Sequence, residues 1–401
     1  MKLKLRKVNS DKVIWLVVLL LSILSLMEVY STIGRTAYND FGGNTTKMLF
    51  KQIAIIAAGL SVIWITQQFP YKRLAGLSKL GFLVSIPLLL LTLVVGLSSG
   101  KDAGRWISLP VIGQFQTSEI VKIILIIYVA RLLTLKKSRI KEKQTFWEIL
   151  IPVIIICGLI FRENFSTSAI LFLACFLMMF LAGVNKQYML RLIIIGLVGL
   201  SGMFFVITKA PQILPRGGTW VKRIEDFRAA DREEVSQVNW AKMAIATGGT
   251  VGKRIGNTEF ARFFDASHND FIFAIIIEEG GLILGLIVIA LYCIFFFRCR
   301  RVALQKLSPE GYTFGSLSAI GLGTLLIIQA LVNMAVAVNL APVTGQTLPF
   351  VSYGGTSFLS CSLAVGIILS ISADANGSTE LSHQDAHFYD NLNPKQNESN
   401  N

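Results

Sequence analysis

Long apolar segments separated by short polar ones make up most of this chain. A run of about 20 apolar residues is what an α-helix needs to cross the hydrocarbon core of a membrane. We recognise such runs at residues 12–32, 47–68, 76–98, 112–134, 147–162, 165–183, 188–208, 270–297, 312–340 and 348–372. The pattern therefore predicts the all-α class, as a polytopic membrane protein with about ten transmembrane helices.

Lys and Arg residues fall mainly in one alternating set of the short loops. These loops lie within residues 2–12, 72–79, 131–143, 186–191 and 298–306. Because loops rich in Lys and Arg stay in the cytoplasm, the N-terminus is predicted to be cytoplasmic. An even number of spans places the C-terminal end on the same side.

The chain divides into a membrane domain, residues 1–372, and a hydrophilic tail, residues 373–401. The tail is rich in Asn, Ser, Asp and Gln and is predicted to be disordered and cytoplasmic. Residues 209–269 form a long extracytoplasmic loop between the seventh and eighth helices, and loops of this length are usually functional. The pattern at 239–245 predicts an amphipathic helix lying along the membrane surface.

The composition agrees with a membrane protein and argues against other classes. Only 15% of the residues are charged, whereas soluble domains hold about a quarter. The net charge of +14 is better explained by anionic lipid headgroups than by nucleic acid, because the basic residues flank apolar runs. Five cysteines without a CxxC pair and three histidines form no metal-ligand pattern, so no metal site is predicted.

The stretch SHNDFIFAIIIEEGG, residues 267–281, places His268, Asn269 and Asp270 immediately before an apolar run. One interpretation is that Asp270 is the first residue of a helix, where the positive end of the helix dipole stabilises a carboxylate. The alternative is that Asp270, at the outer interface below a basic loop, acts as a general base.

A second polar group opens the predicted fourth span, in the sequence GRWISLPVIGQFQTSEIVKI. Arg105 and Trp106 are predicted to lie at the outer interface, and Ser118, Glu119 and Lys122 in the span itself. Glu119 and Lys122 are spaced i, i+3 and so share a helix face. They are either a structural ion pair or part of a pocket in which Lys122 or Arg105 meets an anionic ligand, and the two interpretations are compatible.

Two further segments are candidates for function or for tight packing. The sequence LPFVSYGGTSFL begins the predicted last span with small and polar residues: Ser352, Tyr353, Gly354, Gly355, Thr356 and Ser357. Its glycines would let the backbone approach a ligand or another helix closely. The sequence FRENFSTS is interpreted as a structural turn, in which Ser166 and Thr167 cap the next helix. The glycine-rich stretch GGTVGKRIG lacks the spacing of a nucleotide-binding P-loop.

These motifs, in this order over residues 12–372, resemble those of the SEDS family of bacterial cell-wall proteins (shape, elongation, division and sporulation). The resemblance implies a peptidoglycan glycosyltransferase that polymerises lipid II, a disaccharide pentapeptide on undecaprenyl pyrophosphate, at the outer face of the cytoplasmic membrane. The family's proposed catalytic aspartate falls on Asp270. Where many relatives have Asp, Glu or Lys, this chain has Asn164, Asp265 and Thr344, so accessory roles are not transferred to these positions.

The start of the chain and its hydrophilic tail resemble the division branch of the family, as found in Bacteroidetes-type bacteria, more than the elongation branch. The resemblance also implies a class B penicillin-binding protein as partner, together with other division proteins, and a location at the septum. It leaves open whether a divalent cation (Mg or Mn) assists the departing pyrophosphate. The rival hypotheses are a lipid II flippase, an elongation polymerase, a secondary transporter and a non-catalytic scaffold.

Overall fold

The computed structural model describes residues 10–41, 45–98, 107–109, 113–209, 237–260, 270–309 and 311–377, together with positions 218, 221 and 227. Ten of its helices correspond to the ten predicted spans. They are α1 (Lys12–Phe41), α2 (Thr45–Thr66), α3 (Lys72–Ser98), α4 (Thr117–Leu135), α5 (Lys143–Glu163), α6 (Phe165–Leu181), α7 (Lys186–Lys209), α9 (Ile272–Gln305), α10 (Phe314–Ala337) and α11 (Gly355–Gly377), with α8 (Gln237–Gly248) between α7 and α9.

Eight helices in the described ranges are long and apolar enough to cross a membrane. The other two predicted spans also form helices, but one contains too many charged residues and the other is too short to meet these criteria. Helix α4 carries Glu119, Lys122 and Arg131 within 19 residues, and α6 has 17 residues, about 26 Å of helix. The chain is thus an integral membrane protein with nearly all of its described structure helical.

Two spans begin at least five residues later than predicted, both where Gly and Pro interrupt the apolar pattern. Residues before α4 form a short antiparallel hairpin of β1 (Ile107–Leu109) and β2 (Gly113–Phe115), so the fourth span begins at Thr117 and not at 112. The last span begins at Gly355, because the residues before it form turns. It continues to Gly377, and the remaining tail, residues 378–401, lies outside the described residues.

Side-chain contacts identify the two ends of the helix bundle. The end at which α1 starts and α9 and α11 finish is called the basic end below. At the basic end, Arg298 binds Asp11 with its Nε 2.9 Å from the carboxylate, and Lys306 binds Asp374 at 2.5 Å. The first and last described helices therefore start and finish at the same end, which agrees with an even number of crossings. The opposite end, called the site end below, contains the first turns of α4, α6, α9 and α11 and the last turns of α3, α5 and α10.

Helices α10 and α11 form the centre of the bundle. Within their spans 78% and 83% of the residues are buried, compared with 6% in α7. Helix α2 crosses α11 closely, because Gly59 leaves space for the ring of Phe358 and Gly366 leaves space for Thr66. The central position of α10 and α11 makes them the frame on which polar groups at the site end are held.

Helix α9 is not continuous. Gly281 has φ 71° and ψ −177°, which breaks the helix just after the two acidic residues Glu278 and Glu279. The amphipathic helix predicted in the long loop is present as α8, and its buried residues Val238 and Ala241 belong to a face that lies against α9. The loop is therefore joined to α9.

Candidate functional site

Asp270 lies at the site end, two residues before α9 begins. Phe271 occupies the N-cap position of α9, and its side chain makes no capping hydrogen bond. Asp270 is half-buried, whereas the following residues 271–277 are buried. Asp270 is therefore not the first residue of α9, as one interpretation had it, but lies just before the helix, where buried residues begin.

Asn333, near the end of α10, fixes the backbone at Asp270. Its Nδ2 donates to the carbonyl of Asp270 at 3.1 Å and to the carbonyl of Gln346 at 2.7 Å. Gln346 in turn donates from Nε2 to the hydroxyl of Thr167 in α6, at 2.9 Å. Asn333 thus ties the backbone at Asp270 to the α10–α11 loop, and the side chain of Gln346 ties that loop to α6.

The turn between α5 and α6 is present as predicted, but a different residue caps the helix. Asn164 is the N-cap of α6, and its side chain accepts a hydrogen bond from the N–H of Thr167 at 3.3 Å. Asn is as effective a cap as Ser or Thr. Because Asn164 does this, the hydroxyl of Thr167 is left to accept from Gln346.

Glu119 and Lys122 form the predicted i, i+3 ion pair, with 2.8 Å between Nζ and Oε2. Lys122 also donates to Oε1 of Gln329 on α10 at 2.8 Å, and the hydroxyl of Ser360 on α11 donates to Glu119 at 2.8 Å. Only 2% of the Lys122 surface is exposed. In this arrangement the pair joins three helices, and a ligand would have to displace one of these partners to reach the ammonium group.

Residues Ser352–Ser357, called the SYGG block, are joined by hydrogen bonds to the network around Glu119 and Lys122. The hydroxyls of Ser357 and Thr347 are 2.7 Å apart, and Thr347 accepts from Nε2 of Gln329 through both its carbonyl and its hydroxyl. Ser352 closes the preceding turn by accepting from the N–H of Leu348 at 2.8 Å. The neighbouring residues Gln346 and Thr347 therefore link the Asp270 group to the Glu119–Lys122 group.

The remaining residues of the block have less specific surroundings. The ring of Tyr353 lies 5.7 Å from Nζ of Lys51 on α2, and Thr356 is buried. A Cβ added to Gly354 or Gly355 would meet its nearest neighbour at 3.8 or 3.6 Å, which is ordinary contact. Close helix packing therefore does not explain these two glycines.

Four predicted site residues, Arg105, Trp106, His268 and Asn269, lie outside the described residues. Ser118 is described: it is buried and accepts from Nε2 of Gln116 at 3.1 Å. Among the described residues, no group of three or more His, Cys, Asp or Glu side chains could hold a metal ion. No step of the reaction is therefore assigned to a metal ion.

Sequence reasoning missed the amides of Gln329 and Asn333. Both are buried, they are the only amide side chains of α10, and their spacing of four places them on one face of this helix. Polar side chains are rare in such spans and face the bundle interior. This spacing was the signal that could have found them.

A surface cavity of about 400 Å³ lies at the basic end. It is lined by Lys141, Phe180, Asn185 and Lys186, among others. It does not border Asp270 or the Glu119–Lys122 pair.

Comparison with known proteins identifies the family. Residues 11–377 match the cell cycle protein family of FtsW, RodA and SpoVE. Over 375 residues the chain is 32% identical to the probable peptidoglycan glycosyltransferase FtsW of Trichlorobacter lovleyi, covering 92% of this chain and 94% of that protein. It is 29% identical to the stage V sporulation protein E of Bacillus subtilis, covering 92% and 98%.

Two solved structures share the fold. One is a chain from a study of polymerization and crosslinking by a peptidoglycan synthase complex, with a TM-score of 0.70 and 22% identity over 92% of this chain and 99% of that one. The other is the rod shape determining protein RodA of Thermus thermophilus, with a TM-score of 0.63 and 21% identity over 92% and 98%. The chain belongs to the FtsW/RodA/SpoVE family of cell cycle proteins, the SEDS family.

Proposed function

We propose that this protein is a peptidoglycan glycosyltransferase that polymerises lipid II at the outer face of the cytoplasmic membrane, with Asp270 as the general base. Full-length similarity to relatives named probable peptidoglycan glycosyltransferase supports the activity. The observation that carries the assignment of Asp270 is its position. It is a half-buried carboxylate at the start of a buried helix, with its backbone held by Asn333.

The proposed reaction joins an acceptor sugar to the anomeric carbon of a donor. A sugar hydroxyl is a weak nucleophile, and a carboxylate within hydrogen-bond reach takes its proton as the new C–O bond forms. The bond between the anomeric carbon and the carrier pyrophosphate breaks, and its electron pair leaves with the pyrophosphate. The product is a β-1,4 linkage, and the proton ends on Asp270.

The leaving pyrophosphate needs positive charge or hydrogen-bond donors near it. We assign this role to Arg105 and Lys122, with Trp106, Ser118, Glu119, His268 and Asn269 as further substrate contacts. The SYGG block, Ser352 to Ser357, would supply further substrate contacts. For Lys122 this role requires the ligand to take the place of Glu119 or Gln329, which hold the ammonium group now.

The biological setting follows from the same relatives. Several relatives of similar identity carry the name FtsW, which favours the division branch over an elongation polymerase of the RodA type. We propose a class B penicillin-binding protein as partner, with other division proteins, and a septal location in the inner membrane. Both termini would then lie in the cytoplasm, and the loop 209–269 outside it.

The test is lipid II polymerisation by the full chain co-purified with its transpeptidase partner. We expect Asp270→Asn to lower the rate by at least about 100-fold, since general-base catalysis contributes about 10²–10⁴-fold. The matched control is Asp374→Asn, which removes a carboxylate at the basic end and should keep the rate. Polymerisation by Asp270→Asn at the wild-type rate would refute the assignment.

A further inference from the structure

The break in α9 is filled by another part of the chain. In a continuous helix the N–H groups of Leu282 and Ile283 would donate to carbonyls four residues earlier. Here they donate to the carbonyls of Gly249 at 3.0 Å and Thr250 at 3.3 Å. Two helical hydrogen bonds of α9 are thus replaced by bonds to the long loop.

The carbonyls on the other side of the break are satisfied by the same loop. The N–H groups of Lys253 and Arg254 donate to the carbonyls of Glu278 and Glu279, both at 3.0 Å. Residues 248–256, which we call the strap, are therefore inserted into α9, with two bonds on each side of the break. Four bonds replace two, so the N–H and carbonyl groups on both sides of the break remain paired.

Glycines make the insertion sterically possible. A Cβ at Gly248 or at Gly252 would lie 2.1 Å from a carbonyl oxygen of α9, and one at Gly281 would lie 2.3 Å from a carbonyl of the strap. Gly252 and Gly281 also have φ angles of 83° and 71°, which favour glycine. Arg254 has a φ of 79°, a strained value for this residue that places its N–H on α9.

The carboxylate of Glu278 fastens the chain that follows the strap. Its Oε1 accepts from the N–H of Glu259 at 2.8 Å and of Phe260 at 3.3 Å, and its Oε2 accepts from the hydroxyl of Thr258 at 2.8 Å. Nζ of Lys253 lies 3.8 Å from Oε1. Glu278 has no exposed surface, so this acid serves the protein and does not face a ligand.

The chain is therefore attached to the first part of α9 both at Phe260 and at Asp270. Phe260, ten residues before Asp270, is bound to Glu278. Asp270 itself precedes Ile272, the first residue of α9, and Glu278 lies six residues, or about 9 Å, further along that helix. A shift of the strap would move the first part of α9, from Ile272 to Glu279, relative to α10, and Asn333 of α10 holds the backbone at Asp270.

We infer that Glu278 is a positioning residue: through residues 258–260 and the strap, it fixes the first part of α9 and so the placement of Asp270. The inference rests on the function proposed above. Glu278 acts as a hydrogen-bond acceptor and does not exchange a proton with substrate. Gln should therefore replace it well, because the hydroxyl of Thr258 can turn to accept a hydrogen bond from the amide. Leu would remove the acceptor of three hydrogen bonds, those from the Thr258 hydroxyl and from the N–H groups of Glu259 and Phe260.

The experiment measures kcat and KM for lipid II with the co-purified complex, and hydrogen exchange of the backbone amides of residues 249–260. Glu278→Leu should lower kcat about 10- to 100-fold, the effect of a misplacement of about 1 Å. It should leave KM nearly unchanged and speed amide exchange in the strap. Glu278→Gln should retain most of kcat. If Glu278→Leu does not fold, Thr258→Val removes one of the same contacts from the loop side and should give a smaller effect of the same kind.

The control for general destabilisation is Asp11→Leu, which breaks a partly buried ion pair at the basic end. It should lower stability but not kcat per folded molecule or exchange in the strap. Glu278→Gln as inactive as Asp270→Asn, or Glu278→Leu with wild-type kcat and exchange, would overturn the inference alone. Wild-type activity in Asp270→Asn would instead overturn the proposed function.

Discussion

At the scale of single residues, uncharged amides organise the site as much as charged groups do. Asn333 holds the backbone at Asp270, and Gln329 holds both Lys122 and Thr347. An amide both donates and accepts, so it can join a cation to a carbonyl without adding a buried charge. This explains how one ion pair and several neutral side chains build a polar network within a membrane bundle.

The Glu119–Lys122 pair allows a test of charge balance. Lys122→Met leaves Glu119 buried without its cation and should cost about 3–5 kcal/mol of stability. The double variant Lys122→Met/Glu119→Gln removes both charges and should recover most of that loss. Thermal unfolding in detergent, followed by size-exclusion chromatography, measures the difference.

Lipid II polymerisation by the same two variants separates the two interpretations of the pair. If the pair only joins helices, the double variant should regain activity together with stability. If Lys122 also binds the pyrophosphate, the double variant will be stable but slow. Equal stability of the single and double variants would contradict the structural role of the pair.

At the scale of elements, α9 is a helix in two parts with the strap between them. The apolar pattern from 270 to 297 is interrupted at residues 278–281, EEGG, but this interruption does not show that another segment enters the helix there. Residues 113–115 give a second case, since they lie within the predicted fourth span yet form the strand β2 before α4 begins. Continuity of an element is thus decided by backbone partners from elsewhere in the chain.

Two glycine substitutions distinguish the strap site from an ordinary helical glycine. Gly281→Ala would place a Cβ 2.3 Å from a strap carbonyl and should destabilise the protein and expel the strap. Gly158→Ala lies within α5 with no atom in reach of the added methyl group. It should stabilise the protein by up to about 1 kcal/mol.

Unfolding temperatures of both glycine variants, with amide exchange of residues 249–254, measure the effects. Faster exchange is expected in Gly281→Ala only. A Gly281→Ala protein with the stability and exchange of the wild type would show that the strap does not require the glycine.

At the scale of the whole molecule, the helices alternate in direction between the basic end and the site end. Asp11 and Asp374, near the two limits of the described chain, both bind basic residues of α9 or its C-terminal end. The candidate site lies at the other end. Chemistry at one membrane face therefore agrees with the architecture better than transport across it, as a flippase would require.

Labelling with a membrane-impermeant maleimide tests the orientation. Asn257→Cys, at an exposed position following the strap, should react in intact spheroplasts. Ser308→Cys, in the turn after α9, should react only after the membrane is opened. The native cysteines are buried apart from Cys293, which lies within the apolar helix α9. Labelling in the reverse order would contradict the assignment of the site to the outer face.

The sequence by itself determined the membrane class, the ten long apolar segments that the structure describes as helices and the i, i+3 pairing of Glu119 with Lys122, because hydropathy and helical spacing are local properties. It also indicated Asp270 as a candidate, through its place before an apolar run. Only the tertiary structure decided that α9 is split, since the bonds that split it come from residues about 30 positions earlier. It likewise decided that Gln329, 207 positions from Lys122, shares its ion pair, because a hydrogen-bond partner so distant in sequence leaves no periodic trace.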